Sequence, residues 1–503
     1  MRRAVRVAAL MVSVLAALAT GELALRLTDG FVLWSVRLRP LQSGTETSQG
    51  AEPGGPDRAF AAALPLAPGV DPAWYDNDPV PVPKHPDDPL ISKRLSEYPN
   101  DPIGALFVWN ANYVREQVCA GNQTGSMGIL QEFLVFDPVE QSAFPIFRHL
   151  PNASPPGSFT SNAFGWRGSP LTLEKPLNTI RLAFVGASTT IAAHAFAYSH
   201  PEFVGHWLNL WAQKQGLPHR FDVINAGRTG IDSASIEAIV RQEVVPADPD
   251  LVIYYEGANQ FAPGKLMRMP STLAPKPTVT FRKRTVLEDY LVSARRGLTA
   301  LDIMNGGNGH EPAKPDYPIV WPVGVDQVNP VVTQKPLPMD LDAVVANLDR
   351  MRGALTDIGG ELAVSSFIWL VYPGMRLDLS RDLTIYRQLN DTYWPATYAH
   401  MRKTADFQNR VFASYAKRYG LPFFDVASAF PRDPALFGDA IHLRQEGLRL
   451  QAWIYLQQLV PLVKQRIESG LWPRRPSPPP RRNPANYTAH LLSRRDILAS
   501  CGR

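Results

Sequence analysis

Four short segments of the sequence hold residue types that together could break an ester bond. Gly186-Ala187-Ser188-Thr189-Thr190 offers a serine hydroxyl in a glycine-led turn. Gly438-Asp439-Ala440-Ile441-His442-Leu443 offers a carboxylate three residues ahead of an imidazole. At that spacing a single turn brings the Asp439 carboxylate to the His442 ring and fixes its tautomer, so that the ring can accept the serine proton. The tetrahedral intermediate of acyl transfer also needs donors for its oxyanion. Asn225-Ala226-Gly227-Arg228 and Glu256-Gly257-Ala258-Asn259-Gln260 supply candidates. They are the backbone N–H of Gly227 and the side-chain amide of Asn259, beside the backbone N–H of Ser188. One such donor is worth roughly 10²–10³ in rate.

Each residue alone has a plainer reading. Ser188 would serve as a helix N-cap, Gly227 as a turn glycine, Asn259 as a loop residue, and His442 is one of ten histidines. Arg167 and Glu256 read as structural. The Trp and Tyr residues of the long insertion and of the Pro-rich linker read as packing, although such rings can also stack on sugars. A phosphate-binding reading of GASTT fails because no Gly-Lys-Ser/Thr follows.

The elements that must position these segments favour the chemical reading. RLAFVG (181–186) is a short continuous apolar run, as expected of a strand buried on both faces. FDVINAG (221–227), LVIYYEG (251–257), LAVSSFIWLV (362–371) and LPFFDV (421–426) repeat that pattern. Between them lie the helical patterns PEFVGHWLNLWAQKQG, SIEAIVRQEVV, LDAVVANLDRMRGAL and ADFQNRVFASYAKRYG, and EGLRLQAWIYLQQLV closes the series. Strands alternating with helices imply parallel pairing and a sheet covered on both faces. The expected fold class is a three-layer α/β/α sandwich with a five-stranded, mainly parallel sheet. In such a sheet the active site lies outside the carboxyl ends of the strands. Each of the four segments follows one of these runs.

The four segments, in this order, resemble the SGNH/GDSL-type serine hydrolase family. That family is named for a Ser, a Gly, an Asn and a His in successive blocks, matched here by Ser188, Gly227, Asn259 and His442. Asp439 matches its D-x-x-H acid. The resemblance runs from about Ser161 to Leu459, and SNAFGWRG (161–168) is similar to the lead-in of membrane-anchored bacterial members. It implies a flavodoxin-like hydrolase fold, with Ser188, Asp439 and His442 as catalytic triad and Ser188, Gly227 and Asn259 as oxyanion hole. It implies neither a metal nor an organic cofactor. Two positions depart from the family: Gly-Ala-Ser stands where Gly-Asp-Ser is usual, and Gly-Ala-Asn-Gln where Gly-x-Asn-Asp is usual.

The remaining sequence sets location and boundaries. Arg2, Arg3 and Arg6 precede an apolar run from Val7 to Gly21, and Leu23, Ala24, Leu25 and Leu27 extend it. This is an export signal, read as a retained single-pass anchor over 7–27 with the rest of the chain outside the cytoplasm. Cleavage after Ala17-Leu18-Ala19 is the alternative. Residues 28–102 are Pro-rich, read as a linker, stalk or surface-hugging extended segment with little regular structure. A lead-in (103–160), the hydrolase domain (161–470) and a Pro/Arg-rich tail (471–503) read as disordered complete the chain. An insertion at about 261–339, with a helical stretch at 286–301, is long enough to cap the site.

Pro reaches 47 of 503 residues, about twice the usual share of about 5%. Net charge is +5 with no basic run interleaved with aromatics, so no nucleic-acid partner is expected. Two cysteines, Cys119 and Cys501, give no zinc-type cluster and leave a disulfide between them open. The expected function is hydrolysis of a carboxylic ester, with an acyl or acetyl group on an envelope glycan or a lipid. Acyl transfer to a polysaccharide hydroxyl by the same residues is the nearest alternative. A non-catalytic glycan-binding protein is the alternative of another class.

Overall fold

The computed structural model describes residues 11–17, 19–21, 56–86, 132–136, 149, 152, 154, 159–192, 196–272, 276, 308–379, 381–475 and 489–493. The chain divides into two compact units. One holds 47–268, 318–370 and 400–503, and the other 1–46, 269–317 and 371–399.

The first unit is built on five parallel strands: β1 (Thr179–Gly186), β2 (Arg220–Asn225), β3 (Leu251–Tyr255), β4 (Glu361–Ser365) and β5 (Phe423–Phe424). Their spatial order is β2-β1-β3-β4-β5. Thr179 pairs with Arg220, Leu182 with Leu251, Leu251 with Glu361 and Val364 with Phe423. Every residue of β1 is buried, because helices cover both of its faces. Alternate residues of β3 show the two layers. Tyr255 meets His200 and Tyr455 at ring distances of 5.7 and 6.4 Å, whereas Tyr254 meets Phe412 at 6.1 Å. These partners lie on α3 (His200–Lys214), α9 (Gln445–Glu468) and α7 (Tyr398–Tyr419); α6 (Leu383–Arg387) and α8 (Val426–Ala429) are short helices. On the α7 side α4 (Ser233–Ile239) and α5 (Leu341–Thr356) pack together, and Asn347 Nδ2 donates to Ser233 Oγ at 2.6 Å. The expected three-layer α/β/α sandwich is therefore the fold.

Several expected boundaries shift for identifiable reasons. SIEAIVRQEVV is not one helix. α4 ends at Ile239 and continues as a π turn (Val240–Val244) and a 3-10 turn (Val245–Ala247). Pro246 lacks an N–H and its ring crowds the preceding turn, which forces the widening. Conversely, α9 does not stop at Val460 but runs through Pro461 to Glu468. An interior proline costs about 3 kcal/mol. Leu459, Val460 and Val463 are fully buried, each contributing about 1.5–3 kcal/mol, which offsets that cost.

Residues 56–86 are not a featureless stalk. They contain α1 (Pro56–Ala63) and a 3-10 turn (Pro72–Asp76), and they dock on α3 and α9. Tyr75 lies 5.5 Å from the Trp453 ring and 6.2 Å from Trp207. The indole N–H groups of Trp207 and Trp211 donate to the carbonyls of Asn77 and Pro68 at 3.0 and 3.1 Å. Arg449 donates to Tyr75 O at 2.9 Å and to Asp78 at 2.5 Å. The Pro-rich composition hid a segment held both by its own contacts, such as Tyr75 to Asp57 at 2.8 Å, and by partners far along the chain.

The insertion expected as one cap over 261–339 is divided between the units. Met267 bridges Ile319 within the unit of the sheet. In the other unit Asn308–Gly309 pairs antiparallel with Leu377–Asp378, and Lys314 Nζ donates to the carbonyls of Leu389 and Ala396 at 3.3 and 2.7 Å. The helical stretch expected at 286–301, most of the lead-in at 103–160, and both cysteines lie outside the described residues. In the tail, expected to be disordered, Ala489–Ser493 pairs antiparallel with Glu132–Phe136. Most of the expected anchor over 7–27 also lies outside the described residues; 11–17 and 19–21 are helical. Among the described residues no helix is long and apolar enough to cross a membrane.

Candidate active site

The order β2-β1-β3 places a topological switch point between β1 and β3, where crevices open in doubly wound sheets. The strand ends are level there: Gly186 pairs with Tyr255, and Phe184 with Asn225. Ser188, Gly227 and Asn259 follow these ends, and all three belong to one sheet edge.

Ser188 opens α2 (Ser188–Ile191), a single turn whose carbonyl end closes on Ala192 in the left-handed region. The turn is tied down from three sides. Thr190 Oγ1 donates to Tyr255 O at 3.0 Å, joining it to β3. Asn225 Nδ2 donates to Thr190 O at 2.9 Å and to Ser199 Oγ at 3.1 Å, joining it to β2. The buried Arg167 guanidinium donates to the carbonyls of Ile191, Ala192 and Phe196 and pairs with Glu202 at 2.8 Å. A glycine is required at 186, since a Cβ there would lie 2.1 Å from Tyr255 O.

The partners of Ser188 come from the loop after β5. Asp439 Oδ1 accepts from the backbone N–H groups of Ile441 and His442 at 2.9 and 2.8 Å, and Gly438 N–H closes the turn on His442 O at 2.8 Å. Leu370 N–H holds the same turn through Ala440 O at 3.0 Å, fixing it to the segment after β4. In this turn Asp439 Oδ2 lies 2.6 Å from His442 Nδ1, and His442 Nε2 lies 2.7 Å from Ser188 Oγ. An ionised Asp439 only accepts, so Nδ1 carries the proton and Nε2 accepts from the serine hydroxyl. Burial by itself would raise the Asp439 carboxyl. The hydrogen bond and charge of His442 and the two backbone donors outweigh it and hold the carboxyl below its ordinary value. Asp439 and His442 side chains keep 19% exposure, so the pair opens to solvent and substrate.

The expected oxyanion donors differ in availability. Ser188 N–H begins a helix, where N–H groups have no intrahelical partner. Asn259 is exposed, and its Nδ2 gives one hydrogen to Ile231 O at 2.7 Å, which fixes the amide and leaves its second hydrogen without a partner among the described residues. Gly227 N–H, in contrast, is donated to Asn225 Oδ1 at 3.1 Å. Asn225 is clamped through its Nδ2, so its oxygen is held against this N–H. Gly227 is also a packing glycine, because a Cβ would meet Ile191 N at 2.6 Å.

Both departures noted in the sequence sit in defined local surroundings. Ala187 is buried, and its carbonyl accepts the N–H groups of Thr190 and Ile191 at 3.0 and 3.1 Å. Gln260 Oε1 accepts from Ser233 N–H at 2.9 Å and so caps α4. Sequence reasoning missed the bridging role of Asn225, and left Arg167 and Glu256 as ordinary structural residues. Glu256 is 2% exposed. Its Oε1 accepts from the N–H groups of Ala258 and Asn259 at 2.7 and 2.8 Å. Burial pushes its carboxyl up to about 7, against the pull of these backbone donors and of the His442 charge. Among the described residues no group of His, Cys, Asp or Glu side chains is gathered as metal ligands would be.

No family model matches the sequence, and no curated protein matches it. Among solved structures the chain is similar to a GDSL-like lipase from Bacteroides thetaiotaomicron, with 15% identity over 60% of this chain and 93% of that one, at a TM-score of 0.29. It is also similar to an acetylxylan esterase from Geobacillus stearothermophilus, with 15% identity over 56% of this chain and 94% of that one, at a TM-score of 0.30.

Proposed function

We propose that the chain is a serine ester hydrolase working through an acyl-enzyme. The supporting observation is the unbroken relay from Asp439 through His442 to Ser188, with contacts of 2.6 and 2.7 Å at the carboxyl edge of the sheet. Ser188 Oγ attacks the ester carbonyl carbon while its proton passes to His442 Nε2. The resulting oxyanion takes hydrogen bonds from Ser188 N–H and the second Asn259 amide hydrogen. Collapse breaks the bond to the alcohol, which leaves with the proton from His442. Water then gives a proton to His442 and attacks the acyl carbon, and collapse returns that proton to Ser188 and frees the acid.

The residues of the relay place no limit on the acyl group. The sequence of residues 2–27 supports an extracytoplasmic, membrane-tethered location. In that location an acyl or acetyl group on an envelope glycan is the substrate class within reach.

Two experiments test the reading. A fluorophosphonate probe should label the purified chain at Ser188 and leave Ser188→Ala unlabelled, with hydrolysis of short-chain nitrophenyl esters lost in parallel. Labelling that persists in Ser188→Ala would remove the nucleophile assignment. For location, the full chain should fractionate with membranes, and a chain lacking residues 1–40 should be soluble and active. Recovery of the full chain in the soluble fraction, beginning near Thr20, would show a cleaved signal instead.

A further inference from the structure

Asn259 is the exposed member of the oxyanion pair, and an exposed loop amide is a poor device unless something holds its backbone. The holding group is buried directly beneath it. Glu256 follows the last residue of β3, and its side chain turns back on its own loop. Oε1 takes the N–H groups of Ala258 at 2.7 Å and Asn259 at 2.8 Å. The loop therefore wraps around one carboxyl oxygen, much as backbone N–H groups gather around an anion. From the other side, Ile231 O holds the Asn259 amide at 2.7 Å, and Gly257 presses on Phe367, where a Cβ would approach to 2.7 Å. Glu256 is 2% exposed, and its second oxygen, Oε2, has no hydrogen-bond partner among the described residues. A carboxyl group kept for stability alone would have both oxygens satisfied or a cation beside it. What the fold uses here is one acceptor in one position.

We propose that Glu256 is a positioning residue for ester hydrolysis: Oε1 gathers the 258–259 backbone so that the Asn259 amide is aimed at the oxyanion. The inference rests on the serine-hydrolase reading of the site. The role asks for an acceptor at the right reach, and not for a charge. Glutamine supplies such an acceptor, and its Nε2 would take the place of the partnerless Oε2. Methionine matches the length and apolar bulk of the stem but offers the loop nothing to hold.

The test is steady-state kinetics of the full chain on one nitrophenyl ester, with circular dichroism to confirm folding. The series is Glu256→Gln, Glu256→Met, Asn259→Ala and the Glu256→Met/Asn259→Ala double variant. Glu256→Met should lower kcat by about 10- to 100-fold, the scale of a misplaced catalytic group, with KM little changed. Glu256→Gln should restore most of that loss. In the Asn259→Ala background, Glu256→Met should cost nothing further, because the group it positions is gone. The proposal is overturned if Glu256→Met keeps the wild-type kcat, if Glu256→Gln is as slow as Glu256→Met, or if the two losses multiply in the double variant. Should Glu256→Met fail to fold, Glu256→Gln decides alone: it must keep near wild-type kcat, and a large loss overturns the proposal. A wild-type chain that neither hydrolyses esters nor takes the fluorophosphonate would instead remove the hydrolase reading beneath it.

Discussion

At the amino edge of the sheet, buried charges are matched partner to partner. Lys175 Nζ meets Asp250 at 2.9 Å, Arg181 meets Asp222 at 3.2 Å, and Arg474 meets Asp248 at 3.0 Å. Asp250 also accepts the backbone N–H groups of Arg181 and Arg474 at 2.7 and 3.0 Å, and Arg181 donates to the carbonyls of Leu173 and Thr172. At the carboxyl edge of the same strands the buried Glu256 carboxyl meets no cation among the described residues. Among the described residues Glu256 keeps an oxygen without a partner and one Asn259 amide hydrogen is left over, and the Asp439–His442 pair directs its remaining nitrogen at Ser188. A buried carboxylate paired with a cation holds the chain together. One whose partners run out at a crevice is available for chemistry. The two edges share the same strands, and both hold a buried atom without a hydrogen-bond partner among the described residues, Arg181 Nε at one and Glu256 Oε2 at the other, so the difference lies in whether a buried carboxyl meets a cation and in how far the side chains open to solvent.

Disabling the carboxyl edge shows whether the fold survives without it. Ser188→Ala and His442→Ala should each abolish turnover, on the order of a 10⁶-fold loss, and the double variant should be no slower than either, since the two act as one unit. Asp439→Asn should lose about 10⁴-fold, because the imidazole would be held in the wrong tautomer. Urea midpoints of all these variants should stay close to that of the wild-type chain. A double variant far slower than both singles, or a variant that unfolds, would mean that the edge is structural after all.

The complementary experiment strikes the amino edge. Asp250→Ala leaves Lys175 without its closest partner and two backbone N–H groups uncapped. It should cost roughly 3–5 kcal/mol of stability, the usual penalty for half of a buried pair, while the folded protein keeps its kcat. Urea denaturation and kinetics on the same preparation check both parts. A drop in kcat with unchanged stability would erase the contrast between the edges.

How much of this was legible in the sequence depends on how far apart the interacting residues lie. The strands were visible because RLAFVG and LVIYY are buried on both faces and therefore apolar throughout, and the relay was visible because Asp439 and His442 are three residues apart. Residues 56–86 are legible only as a linker, stalk or surface-hugging segment, because the partners they dock on, Trp207, Trp211, Arg449 and Trp453, lie well over a hundred residues away. The position of Gly227 gives no sign in the sequence that Asn225 Oδ1 accepts its N–H. Glu256 left a fainter signal: an acid directly after a strand that is otherwise apolar. Its type could not tell a solvated loop carboxylate from a buried one, since burial is a property of the neighbours.

The smallest expected effect concerns that burial. In the folded chain the Glu256 carboxyl is raised to about 7 from an ordinary 4.5. Between these values the folded chain keeps a proton that the unfolded chain has released. This stabilisation is complete below pH 4.5 and is lost as pH rises through 7, a change of about 3 kcal/mol. The wild-type curve alone would not reveal it. The buried His149 and His200 rings are lowered to about 3 by burial and by nearby arginine charge, so their contributions grow with pH over the same window. Glu256→Gln leaves those rings untouched and removes only the carboxyl. Subtracting the wild-type stability from that of Glu256→Gln at pH 5, 6, 7 and 8 therefore isolates one group. The difference should climb in favour of the variant as pH rises and level off above 7. A flat difference would mean that the carboxyl is already ionised at pH 5 in the folded chain, and Glu256 would then be a buried charge like the carboxylates of the opposite edge.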